Sequence, residues 1–471
     1  MGVADFFADR LRAHLGYEPT ACQERLFKAL SEFAVQYNEC DLMVIKGYAG
    51  TGKTSAIAAF IRALKEMHYN YVLLAPTGRA AKVLSRFTGE KAYTIHKHIY
   101  RRKSLKDGIG EFQLNINKAK DTYFIVDESS LISASSPASP SNLFGSGDLL
   151  DDLLQFVRSG VDDKLIIIGD SGQLPPVGLD TSPALDETYM SRYGTIKSAE
   201  LTSVVRQAAE SGILTNATVI RRIVERGVPE TPRMVLDGFS DVERINGSDL
   251  IEKISDAVSH YGLDDVVVLC RSNKRANRYN AGIRSQVLFR EEKLTRGDKL
   301  MVVKNCYQFL DDVPELDFIA NGDVAQLTHI SHYEERYGFN FADARLCFPD
   351  YGDVEINAKI LLDTLSSEQP SLSSEQQSAL YNGVSADYAD IRGARKRYQA
   401  VLEDKYYNAL QIKYATAITC HKSQGGQWPC VFIDNPFWQE LTIDDLKWLY
   451  TALTRAVEKV YLVNFKDEFF M

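Results

Sequence analysis

Gly47-Tyr48-Ala49-Gly50-Thr51-Gly52-Lys53-Thr54 fits G-x-x-x-x-G-K-[ST], a spacing suited to gripping phosphate. Glycines let the backbone bend so that successive N–H groups point inward at phosphate oxygens. Lys53 then reaches the β- and γ-phosphates, and the Thr54 hydroxyl is placed to ligate Mg²⁺. Downstream, Phe124-Ile125-Val126 runs into Asp127-Glu128. Beside a triphosphate, Asp127 would hold Mg²⁺, and Glu128 would orient or deprotonate the attacking water. Ile166-Ile167-Ile168-Gly169-Asp170 leads to Gln173, whose neutral amide can donate to phosphate and accept from water. Pro175 and Pro176 fix the turn that follows.

Such residues need a rigid frame, and the pattern supplies one. Leu42–Ile45 suits a buried parallel strand ahead of the loop. Ile57, Phe60, Ile61 and Leu64 repeat at helical spacing behind it, so a positive helix end faces the phosphates. Apolar runs 42–45, 71–74, 123–126 and 165–168 alternate with helical stretches, which predicts a parallel sheet covered on both sides. A second alternating block starts at Val266–Cys270 and resumes at 414–419, 431–433 and 459–463. Between about 295 and 362 the texture turns to short strands, with Asn321-Gly322 as a hairpin signal, which predicts a small β-barrel. Residues 368–407 look helical, with a capping box at Ser373-Ser374-Glu375-Gln376. Residues 101–120, with the turn cluster Lys106–Gly110, suit a small hairpin, and 133–147 suit a mobile loop.

The chain has 471 residues, more than one core of ~250–300 residues holds. The expected division is a first core over 1–205, the start of a second over 206–294, a barrel with a helical insert over 295–410, and the rest of the second core over 411–471. No run approaches the ~18 apolar residues of a membrane span, and no secretory signal opens the chain. Seven scattered cysteines form no zinc spacing, so a reducing, cytoplasmic setting is expected. The net charge of −9 confines any nucleic-acid surface to a local groove.

The order of these blocks resembles superfamily-1 DNA helicases of the RecD/Dda/PIF branch. The blocks are Gly50–Thr54, Ala75-Pro76-Thr77-Gly78-Arg79, Thr94-Ile95-His96, Asp127–Ser130, Gly169–Val177, Val205-Arg206-Gln207, Thr419-Cys420-His421-Lys422-Ser423-Gln424-Gly425 and Tyr450-Thr451-Ala452-Leu453-Thr454-Arg455. The resemblance implies an α/β fold of two RecA-like parallel-sheet domains, with an SH3-like barrel in the second and a strand-separating pin at 101–120. It implies ATP and Mg²⁺ in the cleft, with Thr54 and Asp127 on the metal. Lys53, Asp127, Glu128, Gln173, Arg206 and Arg455 would then act in catalysis, the two arginines on the γ-phosphate. Gln23 would read adenine, and Gly50, Thr51, Gly52, Ser55, Gln424 and Gly425 would complete the nucleotide site. Pro76, Thr77, Arg79 and His96 in the first core, with Thr419, His421 and Lys422 in the second, would contact single-stranded DNA.

The expected function is an ATP-dependent helicase, monomeric, moving 5′→3′ on single strands and opening duplex at junctions. One alternative is a DNA-stimulated ATPase that clamps DNA without unwinding it. Another is a small-molecule kinase or ATPase, against which the second α/β core argues.

Overall fold

The structure is a computed structural model and describes residues 2–36, 40–102, 112–134, 146–205, 210–310, 313, 316 and 318–471. The first lobe carries β1 (Leu42–Gly47), β2 (Asn70–Ala75), β3 (Ala92–Thr94), β4 (Tyr100–Arg102), β5 (Phe112–Leu114), β6 (Thr122–Val126), β7 (Lys164–Gly169) and β8 (Ile196–Leu201). Six of them form a sheet in the order β3-β2-β6-β7-β1-β8, parallel throughout. The apolar run of β6 is buried at every position, as is that of β7. Full burial explains why these strands read as continuous apolar runs rather than alternating ones. Leu42 pairs with Leu165 and Ile45 with Ile168. Parallel pairing therefore brings the loop after β1 and the acids after β6 and β7 to the carboxyl edge of the sheet, where α/β proteins bind ligands.

The second lobe has β9 (Val242–Ile245) and β10 (Val266–Cys270). The barrel strands follow: β11 (Lys299–Val302), β12 (Val324–Arg336), β13 (Phe339–Phe348), β14 (Val354–Leu361) and β15 (Leu410–Tyr414). Then come β16 (Ala417–Thr419), β17 (Trp428–Asp434) and β18 (Ala456–Val463). A parallel sheet has the order β16-β10-β17-β18-β9, and β11 to β15 close the barrel. The closing strand runs on to Tyr414, past the boundary expected at 410, because Val302, Met301 and Leu300 of β11 take Ile412, Lys413 and Tyr414 as partners, beyond the Leu410 that pairs with Ile360. The Asn321-Gly322 turn joins a bridge at Ile319 to β12 rather than linking two barrel strands.

Strands β4 and β5 pair as the antiparallel hairpin expected from 101–120, while its turn at 106–110 lies outside the described residues, as does most of 133–147. Phe112 of this hairpin packs on Tyr307 of the barrel segment, with ring centroids 4.9 Å apart. Helices Ser374–Asp387 and Ala394–Glu403 account for the helical insert, and the Ser373 capping box forms. Leu380, Val384 and Val401 join Phe341 and Leu361 in a small core against the barrel. All seven cysteines are free, and no helix of the described residues is long and apolar enough to cross a membrane.

The two lobes share apolar surface. Tyr48 and Leu174 of the first lobe sit in the cluster built around Trp428, Leu449 and Leu453 of the second.

Candidate nucleotide cleft and strand groove

Gly50 and Gly52 take left-handed φ of 74° and 77°, which any other residue type adopts at a cost. The helix Lys53–Glu66 starts here, so its free N–H groups and dipole open onto the loop. Lys53 Nζ donates to Tyr48 O at 2.9 Å and lies 3.8 Å from Asp170 Oδ2. Ser55 is exposed in the first helical turn.

Asp127 follows β6 and accepts from the Glu128 N–H at 2.8 Å. Burial, reinforced by the neighbouring Glu128 charge, pushes its carboxyl up to about 6 against the pull of Lys53. Glu128 has φ 53°, a conformation that costs energy outside glycine and clusters at functional sites. Glu128 Oε2, Ser130 Oγ and Gln173 Oε1 are buried with no hydrogen-bond partner. Each such orphan costs about 1–3 kcal/mol, and these three follow the neighbouring strands β6 and β7 at the carboxyl edge of the sheet, where unsatisfied polar atoms suit a polar ligand. The oxygen donors Thr54 and Asp127 suit a hard divalent cation, whose charge would offset the cost of ionising Asp127.

Gln23 is fully buried. Its Oε1 accepts from Thr20 N at 3.0 Å, capping its own helix, and its Nε2 donates to Tyr17 Oη at 3.1 Å. An adenine edge would have to exchange with these bonds. Gly52 must be glycine for a further reason, since a Cβ there would meet Gln23 Nε2 at 2.5 Å. Arg206 lies outside the described residues; Val205, before it, donates its N–H to Gly50 O at 2.9 Å. Arg455 does not touch the loop. It is 2% exposed, donating to Thr451 O at 3.1 Å and to Gly426 O at 3.1 Å within its own lobe.

Gln424 and Gly425, expected with the nucleotide, serve the contact between lobes. Gln424 Nε2 donates to Leu174 O at 2.7 Å, and a Cβ on Gly425 would meet Ala80 Cβ at 2.9 Å. Arg79 likewise faces the other lobe, its guanidinium 4.0 Å above the Trp428 ring, worth about 0.5–2 kcal/mol. Pro76 is half-buried, and the Thr77 hydroxyl caps the following helix by accepting from Ala80 N at 3.2 Å. His96 is half-buried among Tyr100 and Phe318, and burial drops its imidazole to about 4, so it is neutral near pH 7.

Thr419, His421 and Lys422 do come together. They line a groove of about 490 Å³ between the second sheet and the barrel, along with Asn277, Lys413 and Tyr414. Burial lowers Lys413 and Lys422 to about 8, and Lys422 bonds Asn321 of the barrel turn.

The motif pattern passed over several residues at this site. Asp170 follows an apolar strand as Asp127 does, and that repeated signal could have singled it out. Tyr450 and Trp428 look like core aromatics in sequence, as does Tyr48. Arg221 carried no local signal, yet its guanidinium lies 4.5 Å from the centre of the Tyr48 ring.

An AAA domain family matches residues 28–226, and a UvrD-like helicase C-terminal domain family matches residues 414–463. The ATP-dependent DNA helicase dda of Enterobacteria phage T4 is 24% identical over 457 residues, covering 89% of this chain and 94% of its own. The ATP-dependent RecD2 DNA helicase of Deinococcus radiodurans is 33% identical over 175 residues, covering 37% of this chain and 21% of its own. An uncharacterized protein of Methanocaldococcus jannaschii is 23% identical over 450 residues, covering 89% of this chain. This chain spans 36% of that protein's length, and so only part of the two cellular relatives. Among solved structures, Bacteroides Pif1 bound to ssDNA covers 97% of this chain and 94% of its own at 14% identity, with a TM-score of 0.45.

Proposed function

We propose that this chain, which belongs to the RecD/Dda/Pif1 branch of superfamily-1 helicases, is an ATP-driven motor that moves 5′→3′ on single-stranded DNA and separates duplex ahead of it. One observation carries the reading. The segment after β7, which holds Asp170 and the orphaned Gln173, is bolted to the lobe that bears the strand groove. Leu174 N donates to Thr451 Oγ1 at 2.9 Å, and Leu174 O accepts from Gln424 at 2.7 Å. Whatever shifts the Gln173 segment is thereby passed to the second lobe, only a few residues from Lys422.

On this reading residues 1–205 hold the nucleotide, while 206–294 and 411–471 form the lobe that closes on it. Lys53 and the loop N–H groups bind the phosphates, and Gln23 and Ser55 flank the nucleotide. Glu128 takes the proton of the attacking water, while Gln173 orients it. Thr54 and Asp127 would hold Mg²⁺, which would neutralise phosphate charge. Arg206 and Arg455 meet the γ-phosphate in the closed state, Arg455 by giving up its bonds to Thr451 O and Gly426 O. A ligand that binds the closed form better favours closure by that difference, and hydrolysis removes it. The strand is gripped through phosphates and stacked bases with little sequence preference, by Thr419, His421 and Lys422 on one side and by the Pro76–Arg79 and His96 segments on the other. The protein works as a monomer, and the β4–β5 hairpin meets the junction.

The test is ATP turnover with and without single-stranded DNA, followed by unwinding of duplexes with 5′ or 3′ tails. DNA-stimulated turnover, lost in Lys53→Ala, with unwinding from the 5′ tail alone, is the expected result. Turnover indifferent to DNA would refute the reading. Stimulated turnover without strand separation would leave a clamp instead of a motor.

A further inference from the structure

The helix Ile443–Leu453 of the second lobe reaches the first through Thr451, which holds Leu174 N, and more deeply through Tyr450. Tyr450 is 1% exposed, and its phenol oxygen touches two groups of the nucleotide cleft. It donates to Asp170 Oδ2 at 2.7 Å and accepts from the Ala49 N–H of the phosphate loop at 2.8 Å. Asp170 is itself 2% exposed. The Asp170 oxygen that accepts from the phenol lies 3.8 Å from Lys53 Nζ, and the other oxygen accepts from Gly172 N at 2.9 Å. Gly172 leaves room for the ring, since a Cβ there would come within 3.0 Å of Tyr450 Cε1.

Ammonium, carboxylate, phenol and peptide N–H thus form one line across the two lobes, buried at the Asp170 carboxylate and the Tyr450 phenol and half-buried at Lys53 and Ala49. Charges interact strongly in such a setting because little water screens them. Once Lys53 turns to a phosphate, Asp170 loses its near cation and faces added negative charge, and the Tyr450 hydroxyl and Gly172 N–H become its remaining support. The helix bearing Tyr450 leads directly to Arg455, whose N–H donates to Ala452 O at 3.2 Å.

We propose that Tyr450 is a positioning residue of the ATPase site: from the second lobe its hydroxyl holds Asp170 and the Ala49 end of the phosphate loop, so that occupation of the loop is felt by the helix that carries Arg455. The proposal rests on hydrolysis at this cleft, as read above, and adds a part for a residue that touches no reacting atom.

Tyr450→Phe keeps the ring and removes one hydroxyl. ATP affinity, measured by equilibrium binding, should stay within about twofold, because Lys53 and the loop glycines are intact. The DNA-stimulated kcat should fall by about tenfold or more, the scale of one hydrogen bond to a charged group. Asp170→Asn and the double variant complete a cycle, in which the double variant is no slower than Asp170→Asn alone. Gly172→Ala, which displaces the ring and keeps the hydroxyl, should reproduce the split between kcat and affinity. A mere packing role would lower the melting temperature and leave that split unmoved. Wild-type kcat in Tyr450→Phe, or losses that multiply in the double variant, would overturn this role alone. No DNA-stimulated turnover in the unaltered protein would overturn the reading of the cleft and this role with it.

Discussion

The acid that ends β17 in the second lobe and the acid pair that follows β6 in the first are treated differently. In the second lobe Asp434 ends β17 and is saturated with partners: Arg275 Nε at 2.8 Å on one oxygen, Tyr279 Oη at 2.7 Å on the other. In the first lobe Glu128 Oε2 and Gln173 Oε1 have none, and Asp127 is pushed up to about 6. The same local pattern, an apolar strand ending in a polar group, therefore has two outcomes. A satisfied acid stabilises its fold, whereas an unsatisfied one stores a cost that a ligand can relieve. Chemistry is expected where satisfaction is missing.

The most severe way to probe that contrast is Arg455→Ala, expected to lower DNA-stimulated kcat by ~10³–10⁵ if its guanidinium reaches the γ-phosphate on closure. Steady-state turnover checks it, and a loss under tenfold would confine Arg455 to the bonds it makes within its lobe. Asp434→Ala should cost stability instead, about 1–3 kcal/mol by urea unfolding, chiefly by leaving the half-buried Tyr279 hydroxyl without its partner, since the Arg275 side chain is 40% exposed and turns to water. Its turnover per folded molecule should match the parent, and the contrast breaks if turnover falls and stability does not.

Asp127→Asn should abolish turnover while stabilising the nucleotide-free protein. Because folding raises this carboxyl from 3.8 to about 6, ionising it costs folding energy. The penalty is absent below about 3.8, grows as pH rises, and is complete above about 6. The melting-temperature gain of the variant should therefore be present at pH 7.5 and vanish at pH 4.

The smallest expected effect belongs to the groove. Lys422→Ala should reduce the salt slope of single-strand binding by about one and weaken binding similarly across sequences. Since Lys422 titrates near 8 when free, binding should take up a proton and weaken as pH rises from 7 to 9. Anisotropy titrations at several pH values measure this, and Lys422→Arg should flatten the trend.

Much was legible along the chain because it depends on neighbours in sequence. The phosphate loop needs strand, glycines and helix in order, and β6 and β7 declare themselves by unbroken apolar runs that full burial demands. The pairing of β4 with β5 and the Ser373 cap are equally local. The barrel was legible as a texture but not at its edge, since β15 belongs to it only through pairing with β11 and β14.

Position across the cleft was not legible. Arg79 and His96 carry strand-contacting motifs, but packing decides that Arg79 lies on Trp428 and that His96 sits neutral among aromatics. Gln424, expected at the nucleotide, donates to the Leu174 carbonyl of the other lobe, a contact that no local pattern announces. Residue types and short spacings were enough to propose a triphosphate site, because a phosphate loop is built from adjacent atoms. Only the packed molecule could decide that Tyr450 meets Ala49 across 401 positions of chain. No local preference selects a contact so distant, and it forms because closing two apolar lobes on each other leaves that hydroxyl between the Asp170 carboxylate and the Ala49 N–H, where solvent cannot replace either.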